Sequence, residues 1–144
     1  MKLIDVNVLL AAHREDHPHF GVGRKWLKGT VDRRVPFAVV DLVAGAFLRI
    51  ATSRRIFSIP TPLADAFDFL TALRAQPSHA LLTPGPRHLE LLSRLCEESD
   101  ATGDLVADAQ LAAIAVEHAC ELVSFDRDFA RFTSVAWHRP GERR

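Results

Sequence analysis

Three short apolar runs that each stop at an aspartate restrict the fold of this chain more than any other feature. LID ends at Asp5, FAVVD at Asp41 and LVSFD at Asp126. Between them the pattern switches to helical spacing, and short apolar runs alternating with helices mark an α/β fold, a mainly parallel sheet covered by helices. The pattern predicts strands over residues 2–4, 36–40 and 121–125, a short strand over 79–82 and an edge strand over 135–138. Helices are predicted over 6–12, 20–29, 42–51, 87–98 and 104–118. A further helix takes Thr61 as its N-cap and Pro62 as its first residue, where the missing N–H is harmless, and runs to residue 75. With no repeat, low-complexity stretch or long linker, residues 1–144 read as a single domain.

In open α/β sheets, ligands collect outside the carboxyl ends of the strands, where the topology reverses. Asp5, Asp41 and Asp126 all stand at such ends. Each is also a good N-cap for the helix that follows, but three repeats of the placement argue for a shared site. Asp108 says more. In DLVADAQLAAIAVEH it sits on a helix that is apolar almost all round, and such a helix is buried. A buried carboxylate needs a partner. No lysine or arginine lies within a turn of Asp108, and Asp104, one turn earlier on the same face, adds like charge. A divalent cation resolves the conflict; a backbone amide or a distant arginine is the structural alternative. Magnesium suits the acids, because it takes hard oxygen ligands, uses few carboxylates directly and keeps waters. Acids around such an ion can activate water for attack on a phosphodiester.

Other chemistries find little support. His13, His17 and His19 invite a zinc reading but have no matching cysteine or histidine pair. Ser124 is outside any G-x-S-x-G elbow, and neither a G-x-G-x-x-G nor a P-loop occurs. Cys96 and Cys120 form no CxxC and read as reduced thiols. Apolar residues make up 48% and charged residues 25%, an ordinary soluble balance. No apolar run approaches the roughly 18 residues that span a bilayer, and MKLIDVNVLL reaches an acid too early for a secretory signal. A cytoplasmic protein without membrane association is expected. The formal net charge is zero, so any RNA binding must come from local patches: Arg33-Arg34, Arg49 with Arg54-Arg55, and Arg139 with Arg143 and Arg144.

LIDVNVLLAAHREDHPHF, FLRIATSRRIFSIPTP, the PGPRH turn and DAQLAAIAVEHACELVSFDRDFARF, in this order over nearly the whole chain, resemble PIN-domain proteins and, more narrowly, the VapC toxins of bacterial toxin–antitoxin pairs. The resemblance implies a three-layer α/β/α fold with a mainly parallel central sheet and a Mg2+-dependent endoribonuclease site at one end, with Mn2+ as a substitute. It also implies an RNA substrate, a cognate VapB-like antitoxin and a tendency to homodimerise. By position, Asp5 and Asp108 match the family's usual metal ligands. Asp126 and Asp128, in FDRDF, match the last acidic position, and Asn7 matches a small polar residue that stands near the metal. One departure stands out. Many PIN proteins carry a glutamate just before the FLR-like segment, where this chain reads Ala44-Gly45-Ala46-Phe47. Asp41, at the start of the same helix, is the nearest substitute, which makes Asp5, Asp41, Asp108, Asp126 and Asp128 the candidate catalytic set.

Two rivals belong to other classes. FDRDF imitates the DxD of aspartate-nucleophile phosphatases, but those carry it on the first strand with a catalytic lysine downstream, and Lys2, Lys25 and Lys28 all lie upstream here. The absent glutamate supports a PIN-like module that binds RNA or a partner without cutting. An antitoxin helix would seat on a groove around residues 20–27 and 47–57, where aromatic and aliphatic side chains mix with arginines, unless those aromatics only fill the core.

Overall fold

A computed structural model describes residues 1–142; Arg143 and Arg144 of the expected basic tail lie outside them. The elements follow in order as β1 (Lys2–Ile4), α1 (Val6–His13), α2 (Phe20–Asp32), β2 (Phe37–Ala38), α3 (Asp41–Ala51), α4 (Leu63–Arg74), α5 (His88–Ser99), α6 (Leu105–Glu117), β3 (Glu121–Val123), a 3-10 helix (Arg127–Arg131) and β4 (Trp137–His138). The four strands form one sheet in the order β2-β1-β3-β4, and every pairing is parallel. Because the chain steps from β1 to β2 on one side and then returns to β3 on the other, the topology reverses between β1 and β3, where α/β sheets open their ligand crevice.

Helices cover the sheet in an α/β/α sandwich. Helix α1 packs on both α2 and α3, α3 packs on α4, α5 packs on α6, and α6 leans on β3. The α1–α2 contact is close enough to require glycine, since a Cβ on Gly23 would stand 2.7 Å from the Cβ of Ala11. In α6 the alanines and their neighbours (Ala109, Leu111, Ala112, Ala113, Ile114 and Ala115) are buried. They join Leu3, Ile4, Val8, Phe37, Phe47, Leu122 and Phe129 in one core.

Several local expectations change. The second strand stops at Ala38 because side chains take over the backbone groups of Val39: its N–H donates to His79 Nε2 at 3.2 Å and its carbonyl accepts from Arg74 Nη2 at 2.8 Å. The strand expected over 79–82 is reduced to a single bridge from His79 to Phe37. Thr61 does not cap α4. Pro62 holds that position without a side-chain bond, because the Thr61 hydroxyl accepts instead from the buried Arg14 at 3.1 Å. Arg14 also donates to Asp16 and to the Ile59 carbonyl and lies 3.6 Å over the Phe57 ring, tying the α3–α4 connection to α1.

Candidate active site

Register places the first and last acids side by side. Ile4 pairs with Val123, so the next residue on each strand, Asp5 and Ser124, meet at the β1/β3 crevice, where the Asp5 N–H donates to the Val123 carbonyl at 3.0 Å. Asp5 caps α1, with Oδ1 accepting from the Val6 N–H at 2.7 Å. Its Oδ2 accepts from the Ser124 hydroxyl at 2.6 Å. That hydroxyl in turn accepts from Asn7 Nδ2 at 2.8 Å and from the Asp126 N–H at 3.0 Å. Asn7 closes the ring through Oδ1, which accepts from the Phe125 N–H at 3.0 Å. Asp126 caps the 3-10 helix by accepting from the Asp128 N–H at 2.8 Å. Ser124 is fully buried, and it is the hub that sequence reasoning dismissed when no nucleophile elbow was found. Its signal was position: it lies two residues before Asp126, at the end of a strand.

The carboxylates crowd one another. Burial pushes the Asp5 carboxyl above its ordinary range and Asp126 adds to the rise, against the opposing hydrogen bonds from Ser124 and Val6. Asp108 is half-buried rather than fully buried as its apolar helix suggested, because it stands at a cleft mouth before the buried turns of α6. Its carboxyl is pushed up to about 7 by that burial and by the charges of Asp5, Asp126, Asp128 and Asp104. Asp104, counted in the sequence only as a neighbour, thus belongs to the same field.

A cleft of about 440 Å3 opens between α3 and α6, lined by Asp5, Asp41, Gly45, Arg49, Asp108 and Leu111 among others. Asp41 therefore reaches the site from the opposite wall. It is no N-cap, since Val40 holds that position, and its Oδ1 accepts from Arg74 Nη2 at 2.7 Å. It is absent from the charges that raise Asp108. Gly45, in the segment that lacks the glutamate, faces open space: a Cβ there would meet nothing within 4 Å.

The histidines go elsewhere. His13 packs on Phe47 and Phe69 and lies 3.2 Å from Thr61, His17 accepts from the His19 N–H, and His19 stacks on Phe125 with ring centres 4.5 Å apart. Among the described residues no three His, Cys, Asp or Glu side chains form a compact metal cage. Magnesium does not require one, because one or two carboxylates with retained waters suffice. Asp5 and Asp108, which line one cleft and repel each other, fit that demand. Both cysteines are free thiols, and among the described residues no helix is long and apolar enough to cross a membrane.

Residues 2–134 match the PIN domain family. The chain is 59% identical over 140 residues to Ribonuclease VapC25 of Mycobacterium tuberculosis, covering 97% of this chain and 99% of that protein. The chain belongs to the VapC family of PIN-domain proteins. Ribonuclease VapC31 of the same organism is 58% identical at the same coverage. Among solved structures, VapBC2 from Rickettsia felis, bound to a DNA fragment from its promoter, superposes with a TM-score of 0.69 at 13% identity, covering 96% of this chain and 97% of that one. The fold is thus kept where most side chains differ, and this VapC-family chain carries its acids at the sheet end that the shared topology leaves open.

Proposed function

We propose that this chain is the toxin of a toxin–antitoxin pair, a cytoplasmic Mg2+-dependent endoribonuclease that hydrolyses RNA phosphodiester bonds. The observation that carries the reading is the gathering of Asp5, Asp108, Asp126 and Asp128 at the β1/β3 switch point, where burial and the crowded charges raise the Asp108 carboxyl to about 7. Asp5 and Asp108 would hold the ion. Bound there, Mg2+ supplies charge neutralisation of the phosphate and a more acidic water. The Ser124 hydroxyl and the Val6 N–H hold both oxygens of Asp5 in one orientation, as hydrogen bonds from neighbouring groups do for metal ligands. Asp126 and Asp128 are exposed and can take a proton from water. Asp41 provides the only carboxylate on α3. Arg54, Arg55 and Arg127 are exposed and would meet RNA phosphates.

The VapBC assembly supports a VapB-like antitoxin as partner, and a homodimer of this chain belongs to the same proposal. Of the side chains expected to line a groove around residues 20–27 and 47–57, Phe47 is fully buried in the core and Phe57 lies under Arg14, while Val22 and Ile56 remain exposed. An apolar groove of about 350 Å3 runs instead between α2 and α4, over Leu27, Val31, Phe69 and Leu73, with Arg24 and Lys28 at its edge.

Cleavage of single-stranded RNA that disappears with EDTA, returns with Mg2+ or Mn2+ and is lost in Asp5→Asn and Asp108→Asn is the expected result. Full activity in purified Asp108→Asn protein would overturn the assignment. The open wall at Gly45 and the engagement of Asp41 by Arg74 favour the second reading, a PIN-like module that binds RNA or a partner with weak or no catalysis. Binding without metal-dependent cleavage would select it.

A further inference from the structure

The cleft between α3 and α6 has a composition that the acids alone do not explain. Its volume, about 440 Å3, lies within the roughly 300–1,000 Å3 of small-molecule sites, which are mostly apolar with a few placed polar groups. Beside Asp5 and Asp108 the walls are aliphatic, with Leu42, Ile50 and Leu111, and Gly45 leaves its stretch of wall empty. Asp41, Gly45 and Arg49 follow at intervals of four residues, so they line one face of α3 and set Arg49 about 12 Å along the helix from Asp41. Arg49 is exposed and forms no ion pair or hydrogen bond with a described residue.

We propose that this cleft is a nucleobase subsite beside the reacting phosphate, in which Arg49 reads a guanine through its O6 and N7 acceptors. The inference rests on the ribonuclease reading above. The reacting phosphate would lie with the ion at Asp5 and Asp108, and the rest of the cleft, walled by Leu42, Ile50 and Leu111 around the open space at Gly45, suits a neutral group better than a second phosphate. A base is neutral, has apolar faces and is read on its edges in single-stranded RNA. Arginine only donates, and guanine offers two adjacent acceptors that match its fork, whereas adenine sets a donor beside its acceptor. The room left by Gly45 admits a purine, and a pyrimidine would fill less of it.

The test uses full-length protein with Asp108→Asn as background, so that RNA is bound without being cut. Affinity is measured by fluorescence anisotropy for short oligouridines carrying one internal guanosine, adenosine or cytidine. Guanosine is expected to bind about 10-fold more tightly than the others. Arg49→Gln should abolish that preference while weakening the other oligonucleotides by less than about threefold. Gly45→Val, whose side chain enters open space, should weaken guanosine and adenosine more than cytidine. An equal loss for every oligonucleotide in Arg49→Gln would make Arg49 a phosphate contact and overturn the subsite. So would unchanged discrimination in a folded Gly45→Val protein. Wild-type protein that discriminates bases but cuts no RNA with Mg2+ would sink the ribonuclease reading and keep the subsite. Cleavage indifferent to the base would do the reverse.

Discussion

Replacing Ser124 by alanine removes one buried hydroxyl and three hydrogen bonds, those to Asp5, Asn7 and the Asp126 N–H. The bond to Asp5 is charge-assisted, about 1.5–3 kcal/mol. The Asn7 amide and the Asp126 N–H lie nearer water and add about 1 kcal/mol when left unpaired. A loss of about 3 kcal/mol follows, or about 10 °C in Tm for a chain of this size. The loss should depend on pH. Burial already holds the Asp5 carboxyl above its ordinary 3.8 while Ser124 pulls it down. Alanine therefore raises it further. A carboxyl raised in the folded state contributes most below pH 3.8 and loses that contribution as pH rises through its folded value. Ser124→Ala should accordingly be more destabilising at pH 8 than at pH 5, with EDTA present in both. Cleavage with Mg2+ should fall about 10- to 100-fold, as for lost supports of metal ligands. Thermal melts across pH 5–8 and a steady-state RNA cleavage assay read both effects. A Tm within about 2 °C of wild type at every pH, less than about 1 kcal/mol, would refute the hub role of Ser124.

Metal-free Asp108→Asn should melt higher than wild type at pH 8 and nearly equal to it at pH 4. The rise from 3.8 to about 7 corresponds to about 4 kcal/mol, reduced to about 2 by solvent screening at a half-buried group. Magnesium at ten times its Kd should stabilise wild-type protein by about 1.4 kcal/mol, and calorimetry should find no such gain in Asp108→Asn. Asp41→Asn should lower cleavage about 10-fold; a loss no greater than that of an arbitrary surface change would reduce Asp41 to the ion-pair partner of Arg74. Arg14→Met should cost about 2 kcal/mol by stranding the Ile59 carbonyl and freeing the α3–α4 connection, read as a lower urea midpoint.

The alternation of apolar runs with helical spacing, the aspartates closing β1 and β3 and the charge conflict around Asp108 are all properties of neighbours within a few residues. They were legible in the chain by itself, as was its family likeness, which depends on the order of whole segments. What only tertiary structure decided are pairings over long separations. Asp5 meets Ser124 across 119 residues, and no periodicity announces that a strand-end serine will hold the carboxylate that closes another strand. Arg14 and Arg74 look like surface cations in sequence, yet one takes the Thr61 hydroxyl from the α4 cap and the other occupies Asp41. The sequence also made Asp108 too buried, because apolarity around a helix does not reveal where along it a cleft will open. Local patterns set which elements form, while the sheet order β2-β1-β3-β4 decides which of their ends share one crevice.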